Sequence, residues 1–198
     1  MLVLDHLAVA AADLATGRAV VEAALGLPLQ AGGAHPRFGT HNLLMGLADG
    51  LYLEVIAVDP AAPAPDGPRW FDLDRFDGPP RLANWIARTD DLAALPGSGV
   101  VTDMARGDFR WQIAVPEDGR LPADGGQPTL IRWQGPHPMD RLTIQPVRLI
   151  RLTIRHPDAR ALAARVLPLC DDARLVYETA AAPSLVAVFD TPRGQVTL

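Results

Sequence analysis

Residues 2–25, LVLDHLAVAAADLATGRAVVEAAL, change from the hydrophobic period of a strand to that of a helix. In the first part apolar side chains alternate, with Leu7 and Val9 on one face, and this pattern predicts a strand. From Asp13, a good N-cap residue, apolar residues recur with the helical period as far as about Leu25, where a glycine follows. The segment therefore predicts a strand followed by an amphipathic helix.

Two further strands are predicted after this helix. A glycine-rich loop at residues 31–39 leads into strands at Thr40 to Leu47 and Leu51 to Val58. Between them, residues 48–50 read Ala-Asp-Gly, which is typical of a tight hairpin turn. The first 58 residues are therefore predicted to form a β-α-β-β unit.

The same order of elements returns twice further along the chain. When the three units are aligned on their helix-opening residues, Asp13, Asp91 and Asp158, the apolar positions of the preceding strands mostly coincide. We expect a short helix from Asp90 in the second unit and a helix to about Leu167 in the third. The predicted fold class is α+β, with repeated βαβββ-type modules that form curved mixed sheets around a cleft and helices on the outer face.

A stretch rich in proline, aspartate and glycine divides the chain. We expect a first βαββ(β) module at residues 1–58 and a connector at residues 59–81. Residues 82–198 are predicted to form a second module with an additional βαββ unit. The whole is predicted as one compact two-module domain.

The composition excludes several classes of protein. The 198 residues include 18 basic and 23 acidic side chains, for a net charge of −5, and every basic residue is arginine. Without lysine, neither Schiff-base nor P-loop chemistry is available, and the single cysteine, Cys170, excludes an intrachain disulfide. No apolar run is long enough to span a bilayer. The sequence also lacks the stripe of basic residues that is typical of nucleic-acid binding. We therefore expect a cytoplasmic protein that binds a small molecule, with neither a membrane nor a nucleic-acid partner.

Polar side chains of the first unit gather on one face of its strands. By strand parity, His6 shares that face with Asn42 and Glu54, whereas His41 takes the opposite face and is interpreted as structural. A lone carboxylate is costly to bury in the apolar run around Glu54, so it needs a partner, a metal or water. We therefore predict that His6 and Glu54 meet in a cleft.

The motifs of the chain resemble those of a known family. They are residues 4–9 (LDHLAV), 33–42 (GAHPRFGTHN), 52–55 (YLEV), 129–133 (TLIRW), 137–138 (HP) and 191–194 (TPRG). Together they are similar to the vicinal oxygen chelate superfamily, which includes glyoxalase I, extradiol dioxygenases and bleomycin-resistance proteins. Within it, the glyoxalase-like domain proteins are the most similar, and the resemblance covers essentially the whole chain.

The resemblance implies metal ligands from the first strand and a late strand of each module. His6 and Glu54 match two of these places, whereas Asn84 and Arg151, the equivalents of His6 in the other units, are not usual ligands. A divalent metal (Zn, Ni, Fe or Mn) on His6 and Glu54 would need a third ligand. The side chains considered for that place are His41 and His137. A homodimer is also compatible with the resemblance.

Further residues on the cleft face and in adjoining loops are candidates for binding the substrate. They are Thr40, Asn42, Tyr52, His35, Arg37, Trp133 and His137. Alternatives stay open for three of them: His35 stabilises its loop or belongs to a lid, Trp133 packs in the core, and His137 lies in a solvated turn.

Two functions of different classes fit these features. The first is a metal-assisted enzyme of the lyase, isomerase or dioxygenase type, in which His6 and Glu54 are catalytic and an ion polarises two neighbouring substrate oxygens. The second is a metal-free protein of the bleomycin-resistance type that binds or sequesters a small ligand in the same cleft. Saturable binding without metal and without turnover distinguishes the second from the first. A purely structural role gives no reason for a buried carboxylate that faces His6.

Overall fold

The computed structural model describes residues 1–198 as two mixed sheets and two helices. The strands of the larger sheet are β1 (Val3–Ala10), β2 (Gln30–His35), β3 (Thr40–Leu47), β4 (Tyr52–Val58), β5 (Arg81–Arg88), β6 (Val100–Arg106), β7 (Phe109–Val115), β8 (Thr129–Trp133) and β9 (Ile144–Gln145). The strands of the smaller sheet are β10 (Arg148–His156), β11 (Leu175–Thr179), β12 (Ser184–Thr191) and β13 (Gly194–Thr197). The helices are α1 (Leu14–Leu25) and α2 (Ala159–Val166). The predicted α+β class is confirmed.

The larger sheet joins the first and second units at its centre. Its strand order is β2-β3-β4-β1-β5-β8-β7-β6, with β9 added beside β3. β1 is parallel to β4 and antiparallel to β5. The sheet is strongly curled into a half-barrel, so its edge strands β2 and β6 lie against each other. This curl turns the concave face of the sheet into the wall of a cavity.

A β-bulge in β1 places two neighbouring polar residues on the concave side. Leu4 and His6 pair with consecutive residues of β5, which leaves Asp5 as the extra residue between them. An extra residue shifts the alternation of a strand. As a result, Leu4 and Leu7 are both buried in the core on the convex side, and Asp5 and His6 lie between them.

Apolar side chains pack on both sides of the larger sheet. One cluster lies between its convex face, α1 and the smaller sheet, and includes Leu7, Leu53 and Leu152. The other cluster lies on the concave face and includes Ile56 and Ile86. Most of the residues expected under the helix belong to the first cluster, so the predicted parity holds for β3 and β4 and for Leu7 and Val9 of β1, whereas the bulge reverses it for Asp5.

The first helix begins and ends where the sequence predicts. Asp13 accepts a hydrogen bond of 2.8 Å from the backbone N–H of Thr16, and Gly26 ends the helix with a left-handed φ of 73°. Gly17 lets α1 approach β4, because a Cβ at this position would lie 2.5 Å from Val55. Neither helix has the length and apolar character of a membrane span.

Two segments of the larger sheet differ from expectation. Most of the glycine-rich loop expected at residues 31–39 belongs to β2, which pairs with β3 across a bulge and is followed by a short 3-10 turn. β6 was not expected as a strand. Its inward-facing residues, Thr102 and Met104, differ in polarity, so the sequence does not alternate there as it does in β3.

The prediction of a helix from Asp90 is also wrong. Residues 90–97 form turns, because the Asp91 carboxylate accepts a hydrogen bond of 3.0 Å from the backbone N–H of Ala93 and closes a local turn. Pro96 leaves less than two helical turns before it, which is too little for a stable helix. The second unit therefore covers its side of the sheet without a helix.

Candidate functional site

The concave face of the larger sheet encloses a small cavity. Six of the residues predicted for the site line it: His6, His35, Asn42, Tyr52, Glu54 and Trp133. Aromatic side chains of Trp70, Phe71 and Trp111 form much of the remaining wall. The cavity volume is about 30 Å³, room for roughly two or three waters but not for a drug-sized molecule. Only a small substrate, or the small end of a larger one, fits without side-chain movement.

Asp5 holds His6 in one orientation. Its Oδ1 lies 2.6 Å from His6 Nδ1, and its side chain is fully buried. Burial acts to raise the pKa of Asp5, but hydrogen bonds from His137 and His6 hold it well below its usual range, so Asp5 is an anion. An anionic carboxylate only accepts hydrogen bonds. Nδ1 of His6 is therefore the donor to Asp5, and in the neutral ring this tautomer leaves the lone pair on Nε2.

Glu54 stands opposite this free nitrogen. Its Oε2 lies 3.7 Å from His6 Nε2, too far for a hydrogen bond, while its Oε1 accepts a hydrogen bond of 2.6 Å from Asn42 Nδ2. The parallel pairing of β1 with β4 sets this arrangement, because it places Glu54 beside the small side chain of Ala8. His6 Nε2 and Glu54 Oε2 thus lie side by side without a hydrogen bond between them, at the same end of the cavity.

Tyr52 fixes the plane of the His6 ring. The two rings stack with centroids 4.2 Å apart and planes 13° apart. Burial, followed by the charges of Asp5 and Glu54, raises the pKa of Tyr52 well above its usual value. The phenol therefore stays protonated and adds no charge beside His6.

The far end of the cavity carries a positive charge. Arg106 Nη1 donates to His35 Nε2 at 3.3 Å and to Asn42 Oδ1 at 3.2 Å. Because His35 Nε2 accepts, its proton lies on Nδ1, which donates to Thr40 Oγ1 at 3.1 Å. The same hydroxyl accepts from Trp70 Nε1 at 3.0 Å. Burial and the charge of Arg106 lower the pKa of His35 to about 3, so this histidine is neutral.

His137 and Trp133 brace Asp5 from behind. His137 Nε2 and Trp133 Nε1 both donate to Asp5 Oδ2, at 3.0 Å and 3.3 Å. His137 Nδ1 accepts a hydrogen bond of 3.2 Å from the backbone N–H of Met139, so both of its nitrogens are engaged. Trp133 also contributes its ring to the cavity wall, whereas His137 does not line the cavity.

Three of the predicted substrate-binding residues do not line the cavity. Arg37 is exposed on the 3-10 turn Pro36–Phe38, which turns Phe38 inward instead. Thr40 is fully buried, and its hydroxyl is held by its two ring partners. His137 lies behind Asp5. The structure therefore brings six of the predicted residues together at the cavity, but neither Thr40 of β3 nor Arg37 and His137.

The residues present do not fit a self-contained metal centre. His6 and Glu54 offer two donor atoms, and no group of three or more His, Cys, Asp or Glu side chains is placed to hold an ion. His41 points elsewhere, with its Nδ1 3.9 Å from Asp59 Oδ1, and the nitrogens of His137 are both hydrogen-bonded. Neither histidine supplies the third ligand that a stable site requires.

Sequence reasoning missed Asp5 and Arg106. Parity places Asp5 with Leu7 under the helix, and only the bulge reverses its direction. Arg106 comes from the unpredicted β6 and passes over Gly33, where a Cβ would lie 2.5 Å from its Cδ. The one available signal was the Gly32–Gly33 pair, because glycines inside a strand often mark the close approach of another segment.

Comparisons with known proteins agree with this fold. Residues 4–170 match the family model described as "Glyoxalase-like domain", and no curated protein matches the sequence. A hypothetical protein from Staphylococcus aureus is 15% identical, with a TM-score of 0.63 over 93% of this chain and 88% of its own. Methylmalonyl-CoA epimerase from Mycobacterium tuberculosis is 17% identical, with a TM-score of 0.44 over 69% of this chain and 90% of its own. A variant of the Streptomyces coelicolor epimerase, in complex with 2-nitronate-propionyl-CoA, is 14% identical, with a TM-score of 0.42 over 68% and 97% of the two chains.

The family model spans most of the chain, including the strands that carry His6, Glu54 and Arg106. The predicted resemblance to the glyoxalase-like domain proteins is confirmed, and this chain belongs to the glyoxalase-like domain family.

Proposed function

We propose that this chain is an enzyme that moves a proton on a small substrate with two neighbouring oxygens, in a reaction of the isomerase or lyase type. The observation that supports it is the alignment of Asp5, His6 and Glu54 at one end of the cavity. His6 and Glu54 are the catalytic residues in this proposal, and Asp5 is a positioning residue.

His6 is the base. Asp5 keeps the proton on Nδ1, so Nε2 accepts a proton from a C–H group next to a carbonyl, and the electron pair of the broken bond moves to the carbonyl oxygen. The imidazolium that forms has a carboxylate near each nitrogen, at 2.6 Å for Asp5 and 3.7 Å for Glu54. Opposite charges at such distances stabilise the protonated ring. Return of the proton to a different atom of the substrate, from His6 directly or after its transfer from His6 to Glu54, completes an isomerisation.

No step of this mechanism passes through a metal. The chain offers two ligands at this point, and a divalent ion (Zn, Ni, Fe or Mn) would have to complete its coordination with substrate or water. An ion on His6 Nε2 would also occupy the lone pair that acts as the base. Chelation is therefore part of the test.

Proton exchange in D₂O tests the proposal without knowledge of the natural substrate. The protein is incubated with a 2-oxo acid, a 2-hydroxy ketone and a 1,3-dicarbonyl compound, and loss of the C–H signal is followed by proton NMR. We expect faster exchange of at least one probe, before and after treatment with EDTA. His6→Gln and Glu54→Gln should each slow it roughly 100-fold or more, the usual contribution of an acid–base group.

His41→Gln is the matched control, because His41 lies on β3 outside the cavity, and its exchange rate should equal that of the wild type. The proposal fails if no probe exchanges faster with the protein than without it, or if His6→Gln exchanges at the wild-type rate. Loss of exchange on chelation, restored by one of the four ions, would replace the metal-free mechanism with a metal-assisted one.

The aromatic wall of the cavity favours a second candidate function, a metal-free protein that binds or sequesters a small ligand. Trp70, Trp111 and Trp133 provide stacking surfaces and also report on binding through their fluorescence. Saturable changes in fluorescence with a probe whose protons never exchange would support this candidate over the enzyme.

A further inference from the structure

One fixed positive charge faces the cavity. Among the lining residues, Arg106 alone carries a permanent charge of this sign. Its Cζ lies 6.0 Å from the centre of the Trp111 ring and 5.7 Å from that of Phe109. The guanidinium is partly buried in aromatic surroundings, where a charge is costly unless it is paired.

The protein does not pair this charge with a carboxylate. No Asp or Glu oxygen lies within 4.0 Å of an Arg106 nitrogen. Two other half-buried arginines have such partners: Arg69 has Asp74 at 2.7 Å, and Arg174 has Asp172 at 2.6 Å. Arg106 therefore differs from them in having its charge directed at a cavity.

The neighbours of Arg106 leave its charge uncancelled. His35 accepts a hydrogen bond from it but is neutral, because burial and Arg106 itself lower the pKa of His35. Asn42 lies between the cation and the nearby carboxylate, with its Oδ1 3.2 Å from Arg106 Nη1 and its Nδ2 2.6 Å from Glu54 Oε1. The amide thus separates the two charges and keeps both at the cavity.

The guanidinium also keeps donors for a ligand. Both hydrogen bonds to the protein use Nη1, so Nε and Nη2 donate to no protein group. These two nitrogens form one side of the planar fork that matches the two oxygens of a carboxylate. Gly33 leaves the space through which the side chain reaches this position.

We propose that the substrate is a small carboxylate, with its anionic group bound by Nε and Nη2 of Arg106 and its acidic C–H directed at His6. The inference rests on the proposed function and names its substrate class. The cavity volume of about 30 Å³ limits the enclosed part of the substrate to a few heavy atoms. Arg106 is a specificity-determining residue in this scheme, and His35 and Asn42 hold its guanidinium in place.

Fluorescence titration with matched anionic and neutral probes tests the inference. The probes are pyruvate with pyruvamide, and glycolate with glycolamide, which differ mainly in charge. We expect saturable binding of at least one carboxylate and at least about 10-fold weaker binding of its amide. Arg106→Gln should weaken binding of the carboxylate roughly 10- to 100-fold, as loss of charge-assisted hydrogen bonds does. Arg106→Lys, which keeps the positive charge but not the planar fork of donors, should lose less affinity for the carboxylate than Arg106→Gln does.

Arg110→Gln is the matched control, because Arg110 lies on the same hairpin with its Nη1 bonded to the carbonyls of Gly107 and Phe109. Its affinity for the carboxylate should equal that of the wild type. Circular dichroism verifies that each variant is folded, and Gly33→Ala, which displaces the Arg106 side chain without removing its charge, gives a second route to weaker binding.

Three outcomes overturn the inference: equal affinity for acid and amide, unchanged affinity in Arg106→Gln, or no saturation by either acid at about 50 mM, where even a millimolar Kd would be saturated. The two proposals fail separately. If carboxylates bind through Arg106 but do not exchange protons, only the proposed function is contradicted. If exchange depends on His6 but not on Arg106, only the proposed substrate class is contradicted.

Discussion

Strands β1 and β10 occupy equivalent places in the two sheets. Each is parallel to one neighbour and antiparallel to another, and each has a bulge at the same point of its antiparallel pairing. In β1 the bulge carries Asp5 and His6, both buried, whereas the equivalent residues of β10, Ile150 and Arg151, are exposed. The backbone of the unit has been repeated, but the polar pair has not.

The surroundings of the two bulges explain the difference. The larger sheet curls over its bulge, and Glu54 stands beside it, whereas the equivalent position in β11 is Val176. The smaller sheet leaves its bulge open, and Ile150 is 44% exposed. Charges act strongly only where water is excluded. The two bulges therefore share a backbone scaffold, and the curl of the larger sheet encloses the polar pair of β1 beside a cavity.

Removal of the buried carboxylate should reveal the largest energetic difference between the two bulges. Asp5→Ala leaves the donors of His6, His137 and Trp133 without their acceptor, so the free energy of unfolding should fall by about 3–5 kcal/mol. The equivalent change Ile150→Ala should alter it by less than about 1 kcal/mol, because the side chain is largely exposed. Urea unfolding followed by tryptophan fluorescence measures both variants. Equal losses would mean that the two bulges do not differ in energy.

The stabilisation by Asp5 should depend on pH in a defined direction. Burial acts to raise the pKa of Asp5, yet hydrogen bonds from His137 and His6 hold it below the unfolded value of about 3.9. A carboxyl of this kind stabilises the fold above its unfolded pKa and loses that contribution as the pH falls toward the folded pKa. The stability difference between wild type and Asp5→Asn should therefore narrow below about pH 4. Urea unfolding across acidic pH measures it, and a constant difference would contradict the ionised state of Asp5.

A smaller effect is expected from β2, which has no counterpart in the smaller sheet. A Cβ at Gly32 would lie 2.0 Å from Asn42 Oδ1 and 2.9 Å from the Asn42 carbonyl oxygen. Gly32→Ala must therefore displace the amide between Glu54 and Arg106, at a cost of about 1–3 kcal/mol in unfolding free energy. Gly67→Ala is the control, because no atom lies within 4 Å of its Cβ position. It should change stability by less than about 0.5 kcal/mol in the same urea experiment.

The smallest change in stability is expected from the N-terminal ends of the two helices. Asp13 caps α1 through the backbone N–H of Thr16, whereas Asp158, in the same place before α2, makes no side-chain cap. Asp13→Ala should lower the Tm by roughly 2–4 °C, the usual effect of a lost cap in a chain of this size. Asp158→Ala should leave the Tm nearly unchanged in circular dichroism. A similar loss in both variants would show that the cap is not the cause.

Much of the first unit was predictable because its signals are local. Alternation along β3 and β4 and the cap at Asp13 depend only on residues close in sequence. The meeting of His6 and Glu54 follows from parity once the two strands are neighbours in one sheet. The helix expected from Asp90 does not form for an equally local reason, because the side chain of Asp91 closes a competing turn.

The rest of the site depends on contacts between distant segments. The direction of Asp5 results from its pairing with β5, and no pattern within β1 reveals a bulge. Arg106 meets Asn42 across 64 positions of sequence, through space that Gly33 leaves open. Such contacts depend on the curl of the whole sheet, so the sequence patterns of single strands do not predict them.

The approach of β2 to β6 also affects how copies of the chain meet in solution. A free sheet edge presents unpaired N–H and C=O groups, to which another chain can add as a strand. In the half-barrel the two edges face each other, and Arg106 joins them through His35. The curvature that encloses the cavity therefore also protects both ends of the larger sheet against aggregation.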